Sequence, residues 1–180
     1  MKNIFYFITL FLISALTFSC SSDDDLDYQN DFKKSQKEWL NFKESSNNSY
    51  KYVVSGGSVF TTYGWETTIT VSNGIIMQRH FKYTGNPENI PENQLEWTET
   101  KTEINSEEHK NTPAATALTL DDIYMKAKND WLIKRKYATS YFETKNSGLI
   151  SMCGYVENGC MDDCFTGITI KSIEVYNPAT

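Results

Sequence analysis

With 180 residues and 14% aromatics, the chain is long enough for one ordinary domain with a sizeable core. Its 17 basic residues are outnumbered by 23 acidic ones, for a net charge of −6, which argues against nucleic-acid binding, since that leans on Lys and Arg neutralising phosphates. Tyrosine is the most frequent aromatic and suits strand packing as well as ligand contact, so composition alone assigns no partner.

The chain begins with Lys2 and an uncharged, mostly apolar stretch over residues 3–18. A positive start, an apolar middle and small residues before a cut site make a secretory signal. The stretch is shorter than the roughly 20 apolar residues that a spanning helix needs. Cleavage after Ser19 removes residues 1–19 and leaves 161; loss of Lys2, their one charged residue, brings the net charge to −7. Leu16-Thr17-Phe18-Ser19-Cys20 resembles the lipobox of bacterial lipoproteins in the loose form seen in the Bacteroidota, with Phe18 where a small residue is usual. The resemblance implies a thioether-linked diacylglycerol on Cys20 and an acylated amino terminus. Two or three acyl chains hold a protein on a membrane essentially permanently. Ser22-Asp23-Asp24-Asp25 is similar to the acidic tag of flavobacterial lipoproteins, which implies display on the outer face of the outer membrane. Residues 20–30 read as a lipidated acidic tether and 31–180 as a single domain.

Residues 31–43 place Phe32, Trp39 and Leu40 on one helical face, with Asn30 or Asp31 as cap and Ser45-Ser46-Asn47-Asn48 as stop. Strands are expected over 50–54, 59–63, 66–72 and 75–84, with a turn at Ser55-Gly56-Gly57 and a hairpin at Asn73-Gly74, where both residues tolerate positive φ. Residues 85–94, with Pro87 and Pro91, read as a loop, and 95–105 as an edge-like strand. A second helix starts at Thr119, with Asp121 and Asp122 in its first turn, and runs to about Lys136. Strands follow over 137–145, 149–156 and 167–176, with a turn at Asn146-Ser147-Gly148 and a cysteine-rich loop.

The halves echo each other. Trp39 precedes Ser49-Tyr50 as Trp131 precedes Ser140-Tyr141, and Ser55-Gly56 is matched by Ser147-Gly148. These features predict an α+β fold: an antiparallel sheet with two helices on one face, built from two related helix-plus-strands units. The arrangement resembles the repeated helix-and-sheet modules of secreted inhibitory and PepSY-like domains, a likeness of fold that carries no activity. Cys153-Gly154-Tyr155 and Cys160-Met161-Asp162-Asp163-Cys164 are similar to the C-terminal pattern of small bacterial lipoprotein domains of unknown function.

With Cys20 acylated, three cysteines remain, and an oxidising envelope favours one disulfide. Cys153, Cys160 and Cys164 allow three pairings; Cys153–Cys164, which would fasten the strand to its loop, is favoured. A metal site at these thiols with Asp162 and Asp163 is disfavoured, because the Cys-x6-Cys-x3-Cys spacing lacks a nearby His. No metal and no cofactor is expected. No Gly-x-Ser-x-Gly, His-Glu-x-x-His or phosphate loop appears, and no catalytic residue is assigned. His80 reads as a sheet residue and His109 as part of a solvated charge run. Glu99 and Glu103 read as a charged outer strand face. Trp65, Trp97, Tyr63, Tyr83 and Phe81 form an aromatic platform for a protein or glycan ligand if they project from the uncovered sheet face; they equally suit the core beneath the helices. The expected function is non-enzymatic binding or a structural role at the outer membrane. The alternative is a secreted hydrolase using a carboxylate pair, drawn from Glu96, Glu99 and Glu103, or a C-terminal cysteine.

Overall fold

The computed structural model describes residues 25–104 and 107–177. Cys20, the residues that resemble a lipobox and most of the expected acidic tag lie outside the described residues. Seven strands, β1 (Tyr50–Gly57), β2 (Gly64–Ser72), β3 (Ile75–Thr84), β4 (Glu96–Thr100), β5 (Ala138–Glu143), β6 (Met152–Glu157) and β7 (Thr166–Val175), form one antiparallel sheet. Their order is β4-β3-β2-β1-β7-β6-β5. Helices α1 (Gln29–Ser45) and α2 (Leu120–Lys126) pack on one face, so the fold is α+β as expected. Each helix precedes an antiparallel meander, and pairing of β1 with β7 joins the two meanders into one sheet.

Period-two alternation puts Tyr50, Tyr52 and Val54 of β1 toward the helices, opposite Val71, Ile69 and Thr67 of β2. Trp39 of α1 meets Tyr50 edge-on at 5.4 Å and stacks on Tyr124 of α2 at 6.1 Å. The buried tyrosine hydroxyls are bonded. Tyr50 accepts from the Leu120 N–H at 2.8 Å, Tyr52 donates to the Leu118 carbonyl at 2.6 Å, and Tyr124 bonds the Ser35 hydroxyl at 2.7 Å. These three bonds tie sheet to α2 and α2 to α1, and they allow so aromatic a core to hold polar atoms.

Local signals worked where the chemistry was local. Asn73 and Gly74 take φ of 49° and 77° at the β2–β3 hairpin. Thr119 caps α2 reciprocally with Asp122: its hydroxyl accepts from Asp122 N at 3.1 Å, and the Asp122 carboxylate accepts from Thr119 N at 2.9 Å. Helix α2 is shorter than expected, because after Lys126 it widens into a π turn, with Leu132 N bonded to the Ala127 carbonyl at 3.0 Å. That turn buries Trp131 and Leu132 side by side. Helix α1 starts at Gln29 after Tyr28 in the left-handed region, so Asn30 and Asp31 lie inside its first turn rather than capping it.

Residues 59–63 are a loop, not a strand. Ser55, Gly56 and Gly57 extend β1 instead of turning, paired with Glu66, Trp65 and Gly64. Strand β4 stops at Thr100, where the Glu103 carboxylate accepts from the Thr100 N–H at 2.8 Å and closes a turn. The expected tether is also partly domain. Leu26 bridges Ile133, Asp27 N donates to the Leu132 carbonyl at 2.8 Å, and the Asp25 carbonyl accepts from Lys134 N at 2.9 Å.

Candidate functional site

A cleft of about 790 Å³ lies at the end of the sheet where β1 and β6 finish and β2 and β7 begin. Val54, Trp65, Leu118, Trp131 and Ile168 form its apolar walls, and Lys126, Asp162 and Asp163 add charge. Gly56 shapes one wall: a Cβ there would stand 2.3 Å from the Trp65 ring, so only glycine lets that indole lie across the strand. Lys126 reaches over Trp131, its Nζ 5.8 Å from the ring centroid.

Two loops border the cleft and are clasped together. Ser58 Oγ donates to Asp163 Oδ2 at 2.6 Å, and Val59 N donates to Asp163 Oδ1 at 3.3 Å. Asp163, considered above as a metal ligand, therefore serves as a clasp. Within its loop Cys160 is bridged to Cys164, their Cα atoms 6.2 Å apart. This corrects the favoured Cys153–Cys164 pairing. Cys153 sits on β6 facing the core, opposite Phe142 and Ile168, and is the free thiol among the described residues. Burial pushes that thiol up to about 12, which leaves it almost entirely protonated and a poor nucleophile.

Of the five aromatics expected as a platform, Trp65, Phe81, Tyr83 and Trp97 lie on the helix-bearing face, not the uncovered one, and Tyr63 sits in the loop before β2. Phe81 and Trp97 are buried and stacked at 5.2 Å, and so offer no exposed surface. Tyr83 meets Phe81 edge-on at 5.0 Å and Tyr63 at 5.6 Å. Trp65 alone of the five lines the cleft. The uncovered face carries Lys51, Glu66, Thr68, His80, Lys82 and Lys171, with Glu66 bonded to Lys171 and 3.5 Å from Lys82.

Glu99 is not on an outer face. It is buried on β4, 3.0 Å from the Arg79 guanidinium, and its carboxylate meets His109 Nδ1 at 3.1 Å. His109, expected in a solvated run, stacks on Trp97 at 3.9 Å. Glu96 lies on the opposite face, 3.2 Å from His80 Nε2, and Glu103 serves the Thr100 turn. The three glutamates thus go to three separate places. Among the described residues no three His, Cys, Asp or Glu side chains converge where a metal ion could be held.

Sequence reasoning missed Lys126, Leu118 and Trp131 as cleft residues. Trp131 was legible only as a helical apolar position, and nothing local marks the 114–118 segment as a wall. Compared with known protein families, with curated proteins and with solved structures, the chain matches none.

Proposed function

We propose that the chain is a lipid-anchored cell-envelope lipoprotein, displayed at the outer membrane, whose domain is a non-enzymatic binding module. The cleft carries this reading. Ligand sites are concave, of roughly 300–1,000 Å³, with apolar and aromatic walls and a few polar groups, and the cleft has that size and lining. Its walls are set in advance by the Cys160–Cys164 bridge, the Asp163 clasp and the Gly56 seat, which lowers the ordering cost of binding. Indole walls at Trp65 and Trp131 suit a sugar face or an apolar side chain, in keeping with a glycan or protein ligand.

Anilinonaphthalene sulfonate, an aromatic anion, serves as a probe of the cleft. The native chain is expected to bind it saturably at one site. Trp65→Ala should weaken binding by about tenfold, equivalent to about 1.4 kcal/mol, while thermal unfolding stays cooperative. Absence of saturable binding, or equal binding by the variant, would remove the cleft as the ligand site.

The lipid anchor has its own test. Cys20→Ala should move the protein from the membrane fraction to the soluble one. Retention in membranes at the native level would sink the anchor.

A further inference from the structure

We propose that the end of the domain carrying the 58–63 and 158–165 loops rests on a phospholipid surface, with Val59, Phe60, Met161 and Tyr137 in its interfacial layer. This deepens the lipid-anchor reading of Cys20 and rests on it. Three observations converge on that end.

The first is exposure. Among the described residues Met161 (91%), Val59 (74%), Phe60 (74%) and Tyr137 (68%) are the most exposed large apolar side chains of the domain. Exposed apolar groups gathered in one place mark an interaction surface.

The second is their placement. Loop 58–63 joins β1 to β2, loop 158–165 joins β6 to β7, and Tyr137 immediately precedes β5. The antiparallel pairs Gly57↔Gly64 and Ala138↔Glu157 close the sheet beside them. The loops meet through Asp163 and Ser58, and the Tyr137 carbonyl accepts from Asn158 N at 2.7 Å. The clasp ties the two loops to each other and the disulfide closes the second loop on itself.

The third is the route of the chain. The first described residue, Asp25, is bonded to Lys134, three residues before Tyr137, and Leu26 bridges Ile133. The first described residues therefore lie near Tyr137, on the β5 side of this end. Only five residue steps separate Asp25 from Cys20, about 17 Å at full extension. An acylated Cys20 so close by keeps this end near the lipid. Interfacial layers favour apolar tips and the amphipathic ring of tyrosine, so burial there resolves the exposure of all four side chains. Val59 and Met161 also border the cleft, which places the binding site next to the membrane.

The test uses the lipidated protein isolated from membranes and reconstituted into phosphatidylcholine vesicles, with or without brominated acyl chains. Phe60→Trp adds an indole at a loop tip, and Leu40→Trp adds one on the exposed side of α1, eleven residues beyond its start. The four native tryptophans supply the baseline to subtract. The expected result is that protein floats with the vesicles and bromine removes about half or more of the emission added at position 60, but little of that added at 40. Flotation with equal or no quenching at the two positions overturns the orientation and leaves the anchor standing. Failure to float overturns the anchor, and the orientation with it.

Discussion

Raising the pH above about 10 is expected to unfold the domain in a steep, cooperative transition driven by Tyr50, Tyr52 and Tyr124. All three are buried, and burial is the main cause that holds their hydroxyls protonated, Tyr124 up to about 12 and the other two further above the ordinary tyrosine range. Asp121 and Asp122 add to the effect at Tyr50 through their negative charge. In the unfolded chain each phenol ionises near pH 10, whereas in the folded chain it does not. Above that pH the native state therefore binds more protons than the unfolded state, and stability falls as pH rises. Each such group removes about 1.4 kcal/mol per pH unit, so the three together remove roughly 4 kcal/mol per unit. Cys153, also raised by burial, adds to the loss from about pH 9 upward. A domain with a stability of about 5–15 kcal/mol does not survive much more than one to three units of this. Circular dichroism and tyrosinate absorbance should share one midpoint for the buried tyrosines. Tyr124→Phe should reduce the slope by about 1.4 kcal/mol per unit. Ionisation of these tyrosines while the circular dichroism stays native would refute the account.

The same residues show what could be read along the chain. Asn73-Gly74 was legible because tolerance of positive φ belongs to the two residues themselves, and the Thr119-to-Asp122 cap because its bonds close within three residues. Strands β1 and β2 were legible from their runs of Tyr, Val, Thr and Ile, which favour extended backbone. Ser55-Gly56-Gly57 looked like a turn, because glycine is read locally as backbone freedom. Here Gly56 is glycine for the sake of Trp65, nine residues later and across the sheet. The cysteine pairing failed similarly. A Cys153–Cys164 bridge is plausible in spacing, but Cys153 points into the core while Cys160 and Cys164 share one loop. The start of the domain was set late at residue 31, because what holds Leu26 is Ile133, more than a hundred residues away.

The cleft was the least legible part, for a related reason. Its walls come from β1, β2, β6, β7, the 114–118 segment, α2 with its π turn and two loops, gathered from three separate stretches of the chain, 54–65, 114–131 and 156–169. Composition flagged the aromatics but could not say which face they take. Strand parity puts Trp65, Phe81, Tyr83 and Trp97 together, and only the position of the helices decides that this is the covered side. The proposed anchor and export tag rest on the linear motifs around Cys20 and Ser22-Asp23-Asp24-Asp25, so they can be proposed from sequence where a three-dimensional site cannot.

Removing one partner of the Arg79–Glu99 pair should be the most damaging single change to the sheet. The two residues are 6% and 1% exposed and meet at 3.0 Å. Arg79 also lies 4.9 Å from the Trp97 ring centroid and donates weakly to the Ala115 carbonyl at 3.4 Å. Glu99→Ala would leave a guanidinium in the core without its carboxylate, and Arg79→Met would leave Glu99 without its guanidinium. Removing one partner of such a buried pair costs about 3–5 kcal/mol. Arg79 Nε and Trp97 Nε1 already lack a hydrogen-bond partner among the described residues, so this region has no spare acceptor to offer. The double change Arg79→Met with Glu99→Leu removes both charges and keeps much of the volume. It should recover most of the loss, because apolar replacement of a buried pair is often neutral or stabilising. Urea denaturation of the four chains of this cycle gives the coupling directly. Each single variant should lose several kcal/mol and the double variant far less than their sum. Near-additive losses would show instead that Arg79 and Glu99 stabilise the sheet independently, through packing on Trp97 and bonding to His109.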